Sequence, residues 1–158
     1  FEGIGGGCVL KVVFVCTGNT CRSSMAEALF RKMLYELGKH DQIQVESYGI
    51  AAVEGQPASE NARRVMAKEG IDLNSHRARQ FNREALDADL ILTMTQSHKD
   101  YILNRFPNTK GRVFVLGEFV GDFGEISDPF GQGIEVYEQV AKELKQKLSK
   151  ILERLEKN

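Results

Sequence analysis

The chain has 158 residues, and its 21 lysines and arginines nearly balance its 22 aspartates and glutamates. This length is enough for one domain with a full core of its own. The near-neutral charge excludes the strong overall field that binds nucleic acid or a membrane surface, and no apolar run has the length of a spanning helix. We therefore expect a cytoplasmic monomer without nucleic-acid or membrane partners, in which a local site binds any anion.

The first eight residues are rich in glycine and do not begin with methionine. They lack the basic and apolar regions of an export signal, so we interpret residues 1–8 as a disordered or cloning-derived segment and residues 9–158 as the functional domain. The three cysteines, Cys8, Cys16 and Cys21, all lie near this end, which is a poor disulfide framework for such a chain. This placement favours a chemical role for at least one of them.

Apolar patterning predicts strands that alternate with helices along the whole chain. In chain order, it predicts a strand over residues 9–15, then a helix that ends at Gly38, a strand over 43–50 and a helix over 59–69 before Gly70. A strand over 89–93, a helix over 96–106 and a strand over 113–115 follow. The last element is a long helix whose core-facing residues run from Tyr137 to Leu155. This order is typical of an α/β fold with a single-domain, doubly wound, parallel four-stranded sheet flanked by helices.

The segment between the first strand and the first helix carries the chemistry. It begins with Cys16 and ends with Arg22, at the carboxyl end of a strand, where such sheets bind their ligands. Gly18 is expected to adopt angles closed to other residues and Asn19 to tolerate the left-handed region, so the backbone N–H groups can surround an anion. The guanidinium of Arg22 suits two oxygens of a phosphoryl group and favours the thiolate of Cys16. The loop therefore predicts an anion site that contains a nucleophile.

The run Val15-Cys16-Thr17-Gly18-Asn19-Thr20-Cys21-Arg22-Ser23 resembles the active-site loop of the low-molecular-weight protein tyrosine phosphatase family. The resemblance extends from about residue 10 to the final helix. Its further matching segments are Ser47-Tyr48-Gly49, Ser75-His76-Arg77-Ala78-Arg79 and Ser127-Asp128-Pro129-Phe130. One departure is Ser24, where the family usually has proline, and we expect it to affect the rigidity of the helix more than the chemistry.

The resemblance implies a phosphatase domain over residues 9–158 that acts on phosphorylated proteins or peptides and releases inorganic phosphate through a phosphocysteine. It implies Cys16 as nucleophile, Arg22 as phosphate clamp and Asp128 as general acid. The phosphate-binding loop would consist of Thr17, Gly18, Asn19, Thr20, Cys21, Arg22 and Ser23, supported by hydrogen bonds from Asn19, Ser23, Ser47 and His76. No metal or cofactor is expected, and the three histidines, His40, His76 and His98, have no ligand-like spacing.

Thr20 and Phe130 are the residues expected to select the substrate. Tyrosine-specific members of the family usually carry Ile or Leu at the position of Thr20, whereas threonine resembles the bacterial protein-arginine phosphatase branch. Gly131 follows Phe130 where many tyrosine-specific relatives have a second aromatic residue, so one wall for an aryl ring is missing. We therefore expect phosphoarginine as the preferred substrate, with phosphotyrosine as the alternative.

Cys21 is interpreted as a redox partner, because its spacing allows a reversible disulfide with Cys16. Two other functions compete with hydrolysis. Arsenate reduction on a related fold needs cysteines later in the chain, and no cysteine follows Cys21. A phosphate-binding module without activity would tolerate the loss of the nucleophile or the acid, yet both Cys16 and Asp128 are present. Both competing functions are therefore less favoured.

Overall fold

Three of the four strands form where apolar and β-branched residues run almost without interruption, and the strand over residues 43–49 instead includes polar residues. In the computed structural model, which describes residues 9–157, the strands are β1 (Leu10–Cys16), β2 (Ile43–Gly49), β3 (Leu90–Thr93) and β4 (Val113–Val115). All neighbouring strands are parallel, and their order in the sheet is β2-β1-β3-β4. The predicted α/β class and four-stranded parallel sheet are confirmed, whereas the predicted segment of residues 1–8 lies outside the described residues.

Strand β1 is buried on both faces, which explains its continuous apolar sequence. Val12 and Phe14 belong to the larger of two core clusters, and Val13 and Val15 belong to the smaller cluster on the other face. All four side chains are fully buried. The alternation along β1 therefore divides the core into two layers, with the sheet between them.

The helices are α1 (Arg22–Glu36), α2 (Glu60–Lys68), α3 (Gln96–Arg105), α4 (Leu116–Val120) and α5 (Ile134–Lys157), and two short 3-10 segments cover Arg83–Asp87 and Pro107–Thr109. Residues of α1, α2, α4 and α5 contribute to the larger core cluster, and α3 contributes to the smaller one. Gly38 and Gly70 follow α1 and α2 with φ of 69° and 77°, as expected for glycines that end helices. Among residues 9–157, no helix combines the length and apolarity needed to cross a bilayer.

Helix α4 was not predicted, so the expected count of four helices is wrong. This helix follows β4 directly and is only five residues long. Its second residue, Gly117, lies so close to the chain at Gly124 that a Cβ atom would be 2.0 Å from the Gly124 carbonyl oxygen. A five-residue segment that contains glycine gives no local signal for a helix. The helix is stabilised instead by packing of Leu116 and Phe119 into the core.

The strand order places the ligand-binding edge of the sheet at the end of β1. Strand β2 lies on one side of β1 and β3 on the other, so the chain direction across the sheet reverses there. Open α/β sheets bind ligands in the crevice at such a point, beyond the carboxyl ends of the strands. Cys16 is the last residue of β1.

Candidate active site

The loop from Cys16 to Arg22 is held by its carbonyl groups, which accept hydrogen bonds from segments around it. These bonds are Ile50 N to Cys16 O (3.0 Å), Ala51 N to Thr17 O (2.9 Å), Ser59 N to Thr20 O (3.0 Å) and Met25 N to Cys21 O (3.0 Å). Ser24, at the position where proline is usual, donates its hydroxyl to Cys21 O at 3.0 Å. The carbonyl oxygens of the loop therefore point away from its centre.

The amide N–H groups of residues 17–22 have no acceptor within the described part of the chain. Asn19 has φ of 60°, which confirms the predicted left-handed residue, whereas Gly18 has a negative φ and its predicted role in the turn is wrong. A Cβ atom at Gly18 would have Thr20 Oγ1 as its nearest neighbour, at 3.6 Å. The sharp turn thus depends on Asn19, and it leaves a row of unpaired N–H groups at the start of α1, which is the usual composition of an anion site.

Gly49 allows the loop to lie directly against β2. A Cβ atom there would be 2.4 Å from Thr17 O and 3.0 Å from Asn19 N. Both neighbours are backbone atoms that cannot move aside without moving the loop. The position of the loop therefore requires glycine at residue 49.

A hydrogen-bonded network supports the sulfur of Cys16. Ser23 Oγ lies 2.9 Å from Cys16 Sγ, and Asn19 Nδ2 donates to Ser23 Oγ (2.8 Å) and to Ser47 Oγ (2.9 Å). A thiolate can only accept, so with Cys16 ionised the Ser23 hydroxyl donates to the sulfur rather than to Tyr48 O, which is more distant at 3.4 Å. A hydrogen bond donated to sulfur favours its anionic form.

Every polar group of Asn19 except its backbone N–H makes a hydrogen bond. Its backbone carbonyl accepts a hydrogen bond of 2.6 Å from His76 Nε2, and its Oδ1 accepts one of 3.0 Å from Arg79 N. Asn19, Ser23 and Ser47 are all fully buried. The structure thus brings the four residues predicted as support, Asn19, Ser23, Ser47 and His76, into one network around the loop.

Glu27 extends this network and was missed by sequence reasoning. Ser47 donates its hydroxyl to Glu27 Oε1 at 2.5 Å, and Glu27 Oε2 pairs with Arg31 Nη1 at 2.6 Å. The carboxylate therefore fixes the direction of the Ser47 hydroxyl, which leaves the Ser47 oxygen to accept from Asn19. A signal was present, because Glu27 lies one turn after Ser23 on the buried side of α1, where an acidic residue needs a partner.

Arg22 and Asp128 meet at the opposite side of the loop. Arg22 is 4% exposed and donates from Nη1 to Ile126 O at 3.0 Å, while Nη2 lies 3.7 Å from Asp128 Oδ2. Asp128 remains about half exposed, and its Oδ1 accepts a hydrogen bond of 3.0 Å from Phe130 N. The predicted clamp and the predicted acid are therefore neighbours, although they are 106 positions apart in the sequence.

These groups line one pocket of about 250 Å³, bounded by Cys16, Thr17, Gly18, Thr20, Cys21, Arg22, Gln56, Asp128 and Phe130. A larger groove of about 720 Å³ lies between α1 and residues 70–79, but it contains none of the predicted catalytic groups. The smaller pocket combines a thiol, a guanidinium, a carboxyl group and unpaired N–H groups. This combination, rather than size, identifies it as the candidate active site.

The family of the chain follows from comparison with known proteins. The model of the family described as "Low molecular weight phosphotyrosine protein phosphatase" matches residues 11–158. The chain belongs to this family. It is therefore a phosphatase, and the resemblance inferred from the loop is confirmed.

Similar proteins carry two different substrate names. The protein-arginine-phosphatase of Geobacillus stearothermophilus is 43% identical over 148 residues, which cover 92% of this chain and 96% of that protein. The low molecular weight protein-tyrosine-phosphatase PtpB of Staphylococcus epidermidis is 46% identical over 130 residues, which cover 82% of this chain and 88% of that protein. The names of these relatives therefore do not distinguish the two substrates.

A solved structure of an arginine phosphatase, YwlE, is also similar to this low molecular weight phosphatase. Its TM-score is 0.89 at 37% identity, and the match covers 94% of this chain and 97% of that chain. It is described as a cysteine-to-serine mutant with a phosphorylated active-site serine. That protein thus carries a phosphoryl group on the side chain that replaces its cysteine.

His98 is a further residue of the phosphatase site that the sequence did not indicate. It is 3% exposed, and its Nε2 lies 2.9 Å from Thr17 Oγ1. Burial lowers the pKa of His98 to about 4, with a further contribution from the charge of Arg22. The signal available was its position, since α3 begins just beyond the carboxyl end of β3, at the same edge of the sheet as the loop.

Cys16 and Cys21 both carry free thiols in this phosphatase. Cys21 Sγ lies 3.3 Å from Tyr137 Oη and 3.4 Å from Ser59 Oγ, two contacts that were not predicted. Burial raises the pKa of Tyr137 to about 12, and its hydrogen bond with Cys21 adds to the shift. The disulfide between Cys16 and Cys21 stays a prediction.

Proposed function

We propose that this phosphatase removes phosphoryl groups from protein side chains through a phosphocysteine at Cys16, and that phosphoarginine is its preferred substrate. The observation that carries the proposal is the loop of residues 16–22. Its carbonyl oxygens bond outward, its N–H groups have no acceptor among the described residues, and the sulfur of Cys16 lies at its start. Such a loop stabilises the negative charge of a phosphoryl group and supplies the nucleophile.

In the first step, the Cys16 thiolate attacks phosphorus in line with the bond to the side chain of the substrate. The loop N–H groups and Arg22 hold the three equatorial oxygens. A sulfur–phosphorus bond forms, the bond from phosphorus to the leaving nitrogen or oxygen breaks, and Asp128 gives its proton to the leaving atom. The half-exposed position of Asp128, next to Arg22 at the pocket wall, supports this role.

In the second step, water attacks the phosphocysteine and inorganic phosphate leaves. Asp128, now a carboxylate, takes a proton from the water, and the sulfur departs as a thiolate. Ser23 donates to that sulfur, because a thiolate has no hydrogen of its own and can only accept. Asn19, Ser47 and His76 act by holding the loop in this arrangement.

The preference for phosphoarginine rests on the residues around the mouth of the pocket. Thr20 and Gln56, a hydroxyl-bearing and an amide-bearing residue, line the pocket together with Phe130, an aromatic residue that has no second ring beside it at Gly131. A guanidinium group carries several N–H donors in one plane and stacks on a single aromatic face. An aryl ring would instead gain from an apolar wall, which Thr20 does not provide.

The direct test compares kcat/KM on matched phosphoarginine and phosphotyrosine peptides for the wild type and three variants. Thr20→Val keeps the shape of threonine and removes the hydroxyl, Thr20→Ser keeps the hydroxyl and removes the methyl group, and Thr20→Ile adds an apolar wall. We expect the ratio of phosphoarginine to phosphotyrosine activity to fall about tenfold in Thr20→Val and further in Thr20→Ile, but little in Thr20→Ser. A wild-type preference for phosphotyrosine that none of these variants changes would contradict the proposed substrate.

We place the phosphatase domain at residues 9–158 and the working protein in the cytoplasm as a monomer. All described strands share one sheet, and both core clusters pack against it, which supports a single domain. Light scattering at assay concentration should give the mass of one chain, and a dimer mass that persists on dilution would contradict the monomer.

A further inference from the structure

His98, Thr17 and Arg22 form a chain of polar contacts that ends at the wall of the active-site pocket. His98 is the third residue of α3, and its backbone N–H donates to the capping hydroxyl of Thr95 at 3.3 Å. Its ring Nε2 lies 2.9 Å from Thr17 Oγ1, and Arg22 Nη2 lies 3.4 Å from the same oxygen. The mechanism described above uses the backbone of Thr17 but not its hydroxyl.

The hydrogen of the Thr17 hydroxyl can point in one of two directions. A guanidinium only donates, so Thr17 Oγ1 accepts from Arg22. If His98 Nε2 lacks a hydrogen, it accepts from Thr17, and the hydroxyl hydrogen points away from the pocket. If His98 Nε2 carries the hydrogen, Thr17 Oγ1 accepts two hydrogen bonds, and its own hydrogen is left for the pocket.

The surroundings of the second ring nitrogen decide between these tautomers. His98 Nδ1 is buried and has no hydrogen-bond partner within residues 9–157. A hydrogen on Nδ1 would be a buried N–H without an acceptor, whereas a hydrogen on Nε2 has Thr17 Oγ1 as its acceptor. The hydrogen therefore belongs on Nε2, where it has an acceptor.

We propose that the Thr17 hydroxyl donates to the bound phosphoryl group, and that His98 is a positioning residue which directs it by donating from Nε2. Thr17 is exposed and lines the pocket with Cys16 and Arg22, so its hydrogen faces the space that the phosphoryl group would occupy. The inference rests on the proposed function, because it assigns one more donor to the same phosphate.

The ring of His98 stays neutral while the enzyme works. Burial first, and Arg22 second, lower its pKa to about 4, although Asp128 and Glu125 act in the other direction. The start of α3 also disfavours a positive ring, since the helix dipole is positive there. His98 thus acts as a fixed donor and not as a pH switch near neutrality.

The first test reads the tautomer directly. Nitrogen-15 NMR of the wild-type protein at pH 7 should show His98 with its hydrogen on Nε2 and a bare Nδ1. The opposite tautomer would overturn the inference, whatever the activity of the enzyme. This outcome differs from a failure of the proposed function, which would appear as turnover that survives Cys16→Ala.

The second test measures inhibition by inorganic phosphate, the product, in Thr17→Val and Thr17→Ser. We expect phosphate to bind about tenfold more weakly to Thr17→Val, since a hydrogen bond to a charged group is lost, and within about twofold of wild type to Thr17→Ser. Equal phosphate inhibition in Thr17→Val and wild type would overturn the inference.

The role of His98 is separated from general stability by a double-mutant cycle. His98→Phe should weaken phosphate inhibition in the wild-type background but have no effect in Thr17→Val, because its influence passes through the Thr17 hydroxyl. His98→Gln, whose amide can still donate, should recover part of the loss. Additive losses in the cycle, with melting temperature measured for each variant, would show a merely structural role and contradict the positioning one.

Discussion

The two walls of the active-site pocket differ in how far their side chains are buried. On one side, Cys16, Asn19 and Ser23 are buried, and their polar side-chain atoms have partners. On the other side lies a segment that we call the lip, residues 122–133, where the side chains of Asp128 and Phe130 are 53% and 69% exposed. The reactive side chains of the loop are thus enclosed by protein, whereas the two lip side chains that face the pocket are open to solvent.

This difference assigns separate tasks to the two walls. Stabilising a phosphoryl group needs donors whose positions do not change during the reaction, which the buried network provides. Accepting protein side chains needs an open surface, which the lip provides. Changes in the loop should therefore affect both stability and kcat, whereas changes in the lip should affect substrate use with little effect on stability.

The largest effect is expected from a lip residue that takes part in the chemistry. Asp128→Asn should lower kcat by about 100-fold or more, because the leaving atom loses its proton donor. The loss should be much smaller on an aryl phosphate whose leaving group is stable as an anion. The melting temperature should stay near that of wild type, since Asp128 is half exposed. An equal loss on good and poor leaving groups would argue against Asp128 as the acid.

The next effect concerns acid stability, through His98, which lies behind the loop. Its pKa of about 4 in the folded protein is below the ordinary value of 6.5, so the unfolded chain binds the proton first as pH falls. Stability is therefore complete above about pH 6.5 and falls by about 3 kcal/mol as the pH approaches 4. Urea unfolding at pH 7 and at pH 4.5 measures this effect. Between these two pH values, the free energy of unfolding should fall less in His98→Gln than in the wild type.

His40→Gln is the matched control for that experiment, because the His40 side chain is 46% exposed and lies far from the pocket. This variant should keep the acid sensitivity of the wild type. If His98→Gln loses as much stability in acid as His40→Gln does, burial of a neutral His98 is not the cause.

A purely steric change in the loop region should have a smaller effect on stability. Gly49→Ala brings a Cβ atom to within 2.4 Å of Thr17 O, so the loop must shift. We expect a loss of about 1–3 kcal/mol in the free energy of unfolding, together with a fall in kcat. Gly124→Ala is a control with room for its Cβ atom, whose nearest neighbour is a lysine side chain at 3.6 Å. Full activity in Gly49→Ala would show that the loop is not fixed as we describe.

The smallest effect is expected at the outer edge of the lip. Phe130→Leu removes an exposed aromatic face, and a cation–π contact at such a site contributes about 0.5–1 kcal/mol. KM for a phosphoarginine peptide should rise about two- to fivefold, with kcat and melting temperature unchanged. A loss of stability in this variant would mean that the lip is held more firmly than its exposure indicates.

The parts of the fold that local sequence determines were predicted well. Strand β1 is a run of β-branched residues, and α1 and α2 end at glycines, so each has a local signal. Helix α4 has no such signal, because it is short, contains Gly117 and depends on packing. The boundaries of the strands, α2 and α3 differ from prediction by at most one residue, whereas α5 begins at Ile134, three residues before the first predicted core residue of that helix.

The site was predictable only as far as its motif extends. The loop residues follow one another in sequence, whereas Glu27 and His98 act through contacts with Ser47 and Thr17 that the sequence does not reveal. A glutamate on a helix is usually solvated and a single histidine usually structural. For Gly18 the sequence suggested a role that the structure does not show. The residue of the turn with a positive φ is Asn19.

The central claim is that Cys16 receives the phosphoryl group. It is tested most directly by stopping the reaction with a phosphoarginine peptide during turnover and mapping phosphorylation by mass spectrometry. We predict one phosphoryl group per chain, located on Cys16, and neither phosphoenzyme nor turnover in Cys16→Ala. A phosphoryl group on another residue, or turnover that continues in Cys16→Ala, would contradict the account.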